Sequence, residues 1–112
     1  MLPKGPGFVV LYRWRLHPGK EEVFVQAWSN ISEVFLHHHD SFGSRLHKGP
    51  DNIWYSYAQW PSEAARSTAF ALPSRDPKSM EEMRSSVLEW LPELILESVA
   101  DCMLFPRAHT DA

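Results

Sequence analysis

Residues 8–39, FVVLYRWRLHPGKEEVFVQAWSNISEVFLHHH, with 42–49, FGSRLHKG, and 52–60, NIWYSYAQW, read strand, helix, strand, strand. In the first, Phe8, Val10, Tyr12, Trp14 and Leu16 share one face, and Val9, Leu11, Arg13 and Arg15 share the other. That is the two-residue period of a strand over Phe8 to Leu16. His17-Pro18-Gly19 ends it and opens a helix, since proline is tolerated in the first turn. Glu21 and Glu22 oppose the positive end of the helix dipole. Phe24, Trp28, Ile31 and Phe35 then recur at helical spacing and mark a buried face that fades by His39-Asp40. Phe42 to Lys48 reads as a second strand. Gly49-Pro50-Asp51-Asn52 turns the chain back, so Ile53 to Trp60 pairs with it as a hairpin.

Downstream, Pro61-Ser62-Glu63 opens a second helix through Ala64, Ala65, Thr68 and Ala69, interrupted from Leu72-Pro73 to Asp76-Pro77. Ser79 with Glu82 has the capping-box spacing. Met80, Met83, Val87 and Leu91 extend that helix until Pro92 stops it, and Leu94 to Phe105 reads as the last strand. Residues 1–7 form a loose lead-in, and the tail from Pro106 is polar. The order β-α-β-β-α-β predicts a ferredoxin-like α+β fold, with both helices on one face of a four-stranded antiparallel sheet. The opposite face is also apolar, because Val9 and Leu11 oppose Val10 and Tyr12, and Trp54 opposes Tyr55. Packing sheet against sheet in a homodimer covers it, giving a dimeric α+β barrel.

The 112 residues suit a single domain, with an ordered core over about 8–105. A hydrophobic content of 44% and a charged content of 22% are ordinary for a globular chain. The net charge of −3 argues against nucleic acid, whose binding rests on neutralising phosphates. The apolar runs FVVLY and LILESVA are too short to cross a membrane. Met1-Leu-Pro-Lys lacks the apolar stretch of a signal peptide, so a cytoplasmic location is expected. The lone Cys102 excludes an internal disulfide and falls in an apolar strand pattern, where it acts as a small hydrophobe.

With RWRLHPGKEEVFVQAW, FGSRLHKGPDNIWYSYAQWPSEAA and this element order, residues 8–105 resemble the antibiotic biosynthesis monooxygenase (ABM) family of dimeric α+β barrels. The resemblance implies a pocket between sheet and helices in each subunit. The family includes cofactor-free oxygenases of polycyclic phenols, quinol oxygenases and heme-degrading enzymes. The heme-degrading branch carries an Asn on the first strand and a Trp and a His in or after the second helix. Here Tyr12 stands at the Asn position and Ala69 at the Trp position, and no His lies between Lys48 and Phe105. The resemblance therefore points to a cofactor-independent monooxygenase of an aromatic, phenolic or quinol-like molecule, or to a non-catalytic binder or accessory protein on the same scaffold. An isomerase or cyclase-like relative is a third reading.

The residues supply candidates for such a site. Tyr12, Trp14, Tyr55, Tyr57 and Trp60 could wall a pocket for a flat apolar molecule, although aromatics also serve as plain core. Phe35, and His38 or His39 after it, could reach it from the helix, His39 being the residue assigned to the site. Arg45 could steady a substrate oxyanion. His47 is the general-base candidate by residue type, with Tyr57 as its catalytic companion. The parity of His47 is opposite to that of Phe42 and Leu46. Arg13, Arg15, Arg45 and His47 could instead pair with Glu97 and Asp101 on the last strand. His37-His38-His39 has the wrong spacing for a metal, because successive helical residues diverge by about 100°. No flavin, nicotinamide or phosphate-binding motif occurs, so no cofactor or metal is expected, and any oxygenation must run on the deprotonated substrate itself.

Overall fold

The computed structural model describes residues 7–103. The expected lead-in before Gly7, the strand end at Leu104–Phe105 and the tail from Pro106 lie outside them. In chain order the elements are β1 (Phe8–Leu16), α1 (Glu21–His38), β2 (Gly43–Lys48), β3 (Trp54–Trp60), α2 (Glu63–Ala71), α3 (Pro77–Ser86) and β4 (Val87–Leu96). The strands form one antiparallel sheet in the order β2-β3-β1-β4, the ferredoxin-like arrangement.

Register decides which side chains meet. On β1 and β3, Val10 lies opposite Ala58, Tyr12 opposite Ser56 and Trp14 opposite Trp54, all facing the helices. The helical face of α1 buries Phe24, Ala27 and Ile31 against them, because these positions recur at helical spacing. Two apolar clusters result. One holds Val10, Ala58, Trp60 and Ala69, and the other Trp14, Phe24, Trp54 and Val87; Tyr12 packs against both. The hairpin between β2 and β3 closes as expected. The amide of Gly49 donates to the carbonyl of Ile53 at 2.8 Å, and Asp51 Oδ1 accepts from the Ile53 amide at 3.1 Å.

The chain from Asp76 onward differs from the expectation. Helix α3 is capped by Asp76 rather than Ser79: Asp76 Oδ1 accepts from the Ser79 amide at 3.1 Å, which holds its carboxyl below the usual carboxylate range. Ser79 is buried instead, and its hydroxyl accepts from Asn30 Nδ2 at 3.0 Å, tying α3 to α1. The helix stops at Ser86, not Pro92. Ser85 and Ser86 turn their hydroxyls back onto the Glu82 carbonyl at 3.2 and 2.7 Å, a bonding mode that competes with the next helical turn. The last strand therefore begins at Val87, seven residues before the expected Leu94, and ends at Leu96. Pro92 sits inside it, at a register shift where Leu11 pairs with Leu94 but Arg13 pairs with Leu91. A bulge on an edge strand is where a residue without an N–H is tolerated. Cys102 lies beyond the strand and is exposed, contrary to the expected strand position.

Candidate active site

A cavity of about 300 Å³ lies between the sheet and the helices, with an almost wholly apolar lining. β1 contributes Tyr12 and Trp14, β3 contributes Ser56, Ala58 and Trp60, and β4 contributes Trp90. From the helices come Trp28, Ile31 and Phe35 of α1, Ala69 and Phe70 of α2, and Met80 and Met83 of α3. His39 follows the end of α1, while Leu72 and Arg75 come from the link between α2 and α3.

Aromatic rings order this wall. Tyr12 stacks on Trp14 with centroids 6.0 Å apart. Phe35 stacks on Phe70 at 5.4 Å and meets Trp60 edge-on at 5.6 Å, and His39 meets Phe35 edge-on at 5.8 Å. Few polar groups interrupt the apolar surface. Trp28 Nε1 donates to Ser56 Oγ at 3.1 Å, which satisfies both. Two others are not satisfied: Tyr12 Oη and Trp60 Nε1 are buried, and neither has a hydrogen-bond partner among the described residues. Such groups cost about 1–3 kcal/mol each when left unpaired.

Tyr12 is pushed up to about 12, chiefly because burial disfavours the phenolate. The Arg66 guanidinium opposes this, Glu93 reinforces it, and proximity to Trp60 lowers it weakly without forming a sound hydrogen bond. At neutral pH Tyr12 is therefore a donor and cannot act as a base. Arg66 lies behind it, 15% exposed, bonded to Glu93 at 2.6 Å, with its guanidinium 5.8 Å from the Tyr12 ring and 5.2 Å from Phe70.

Of the residues singled out from sequence, Tyr12, Trp14, Phe35, His39 and Trp60 come together around the cavity. Arg45, His47, Tyr55 and Tyr57 do not. Arg45 pairs with Tyr57 and His47 with Tyr55 across β2 and β3, on the face turned away from the helices. Neither His47 nor Tyr57 lines the cavity. The expected ion pairs to Glu97 and Asp101 are replaced. Arg15 binds Glu89 at 3.1 Å, and Arg13 donates to the Pro92 carbonyl at 2.7 Å. His37 and His38 are exposed at the end of α1, and among the described residues no group of three His, Cys, Asp or Glu side chains comes together to hold a metal. Phe70, Arg66 and Trp90 are not legible in the sequence: the first two need the docking of α2, and the helical spacing through Leu91 puts Trp90 on a helix.

The fold has solved counterparts. SnoaB, a cofactor-independent oxygenase from Streptomyces nogalater, superposes with a TM-score of 0.72 at 15% identity, covering 88% of this chain and 98% of that one. A provisionally named antibiotic biosynthesis monooxygenase from Caulobacter crescentus CB15 gives 0.71 at 11% identity, covering 86% and 93%. Another, from Chloroflexus aurantiacus J-10-fl, gives 0.70 at 11% identity, covering 84% and 94%. The chain has the antibiotic biosynthesis monooxygenase fold. No protein-family profile and no curated protein sequence matches it. At these identities the likeness establishes architecture, and the chemistry must be argued from the site.

Proposed function

We propose that the protein binds a flat aromatic molecule of phenolic or quinol type in the cavity under its helices and oxygenates it without a cofactor. The observation that carries this reading is the pairing of an aromatic-walled, apolar cavity with two orphaned donors, Tyr12 Oη and Trp60 Nε1, on its wall residues. A ligand oxygen that reaches them relieves two buried unpaired groups. The same hydrogen bonds strengthen as negative charge gathers on that oxygen. A phenol held there as its anion can reduce O₂ at ring carbon. The resulting hydroperoxide then loses water to leave a quinone, so one oxygen atom enters the product and the other leaves as water. The protein's part is to bind, desolvate and steady the oxyanion. The fold shared with SnoaB supports this chemistry.

The same reading includes a homodimer. The sheet face away from the helices presents Leu11, Tyr55 and Tyr57 among the basic Arg13, Arg45 and His47, a mixed aromatic and charged surface that a second copy could cover. Among the described residues no helix is long and apolar enough to cross a membrane.

Oxygen uptake with a panel of mono- and polycyclic phenols tests the catalytic half of the proposal. Uptake that falls at least tenfold in Tyr12→Phe and Trp60→Phe supports it. A phenol that binds and raises the melting temperature without consuming oxygen would instead mark a binding protein on this scaffold.

A further inference from the structure

We infer that His39 is the general base of this site: its imidazole takes the proton of a phenol bound in the aromatic cavity and releases it to water through a second, outer cleft. This inference rests on the function proposed above.

The observation behind it is a junction of two spaces. A cleft of about 280 Å³ lies between the end of α1 and α2, lined by His38, Asp40, Ala65 and Thr68 among others. His39, Ala69 and Leu72 line both this cleft and the aromatic cavity. Of these three, His39 alone can carry a proton. Its position is fixed by backbone. The His39 amide donates to the Phe35 carbonyl at 3.1 Å, the Ser41 amide donates to the same carbonyl at 3.2 Å, and Asp40 turns the chain in the left-handed region at φ 64°. Its ring is braced edge-on by Phe35, which also touches Trp60 and Phe70. Among the described residues neither ring nitrogen is hydrogen-bonded, so the imidazole is free to exchange a proton with either space it lines.

The groups around His39 leave it no rival. Inside the aromatic cavity, Tyr12 holds its proton at neutral pH and Arg75 is a fixed cation. In the outer cleft, His38 and Asp40 do not line the inner cavity. The facing side chains of α2 (Ala65, Thr68 and Ala69) and the following Leu72 bring no charge. Imidazole is the side-chain type that exchanges protons near neutral pH. The step is a plain transfer: the phenol O–H bond breaks, an N–H bond forms on the imidazole, and a phenolate–imidazolium pair results. The imidazolium then gives its proton to water in the outer cleft and regenerates the base.

4-Nitrophenol tests the step directly, because its anion absorbs visibly and its neutral form does not. Below its own ionisation midpoint, binding to the unaltered protein should bring up the phenolate band. His39→Gln and His39→Asn should bind the probe but lower the bound phenolate-to-phenol ratio about tenfold, one pKa unit. His38→Gln should leave the band intact, and added imidazole should restore part of it in the His39 variants. A bound band that persists unchanged in His39→Gln overturns the base and leaves the cavity reading standing. So does binding to the unaltered protein purely as the neutral phenol. A probe that does not bind the unaltered protein at all removes the cavity reading and the base together.

Discussion

Tyr12 joins the packing of the core to the proposed chemistry in one side chain. It lies between the two core clusters, stacks on Trp14, and carries a hydroxyl sealed from water with nothing to bond. Tyr12→Phe should therefore leave urea-measured stability at neutral pH unchanged or up to about 1 kcal/mol higher, since it deletes an unpaired buried hydroxyl. Phenol affinity measured by calorimetry should fall about tenfold in the same variant. A marked loss of stability would show that the hydroxyl has a partner. Alkali supplies a second test. Burial raises the folded phenol to about 12, whereas an unfolded tyrosine ionises near 10. Above about pH 10 the unfolded chain gives up this proton first, so stability present below that point declines as the pH rises toward 12, by about 2–3 kcal/mol. Tyr12→Phe should lack this part of the decline. Ser56 behaves oppositely. Ser56→Ala leaves the Trp28 indole N–H without its 3.1 Å acceptor and should destabilise by about 1–2 kcal/mol in chemical denaturation.

At the scale of elements, the helix α2 is pinned to the edge strand β4 by Arg66 and Glu93, and this contact backs the cavity wall. A double-mutant cycle over Arg66→Met and Glu93→Gln should give a coupling of about 1 kcal/mol, because the pair is only partly exposed. A coupling near zero would mean that the rings of Phe8, Tyr12 and Phe70 around the guanidinium, not the carboxylate, hold it. Much of the element order was legible from residues alone. β1, the apolar face of α1 and the β2–β3 hairpin each carry an unambiguous period or turn. The region from Ser79 to Leu96 was not. Met80, Met83, Val87 and Leu91 keep helical spacing through the junction, and Pro92 imitates a helix stop. The chain leaves the helix early because the free edge of β1 offers Val87–Leu91 a ladder of hydrogen bonds, a tertiary gain that no local period records. The site was legible in part for a similar reason. Tyr12, Trp14 and Trp60 share the parity of Val10 and Ala58, whereas Tyr55 and Tyr57 alternate with them. With aromatics on both faces of β3, composition cannot say which face meets the helices; only the register of Tyr12 with Ser56 and of Trp14 with Trp54 does.

For the whole molecule, the two faces of the sheet differ. The helical face encloses the cavity, and the other carries Arg45, His47, Tyr55 and Tyr57, the sequence candidates that stand away from it. If that second face joins two copies, sedimentation should give a dimer, and Leu11→Asp, placed opposite Tyr57 and Leu94, should shift it toward monomer while keeping the helical signal. A monomeric unaltered protein would contradict the dimer and leave the cavity in place. The central claim concerns the other face. The most direct test is the response of the tryptophan indole N–H resonances, with those of the His47 and Tyr57 rings, as a saturating polycyclic phenol is added. The account predicts a large shift of the Trp60 N–H, a smaller one at Trp28, and none at His47 or Tyr57. Shifts confined to His47, Tyr55 and Tyr57, with Trp60 unmoved, would contradict it.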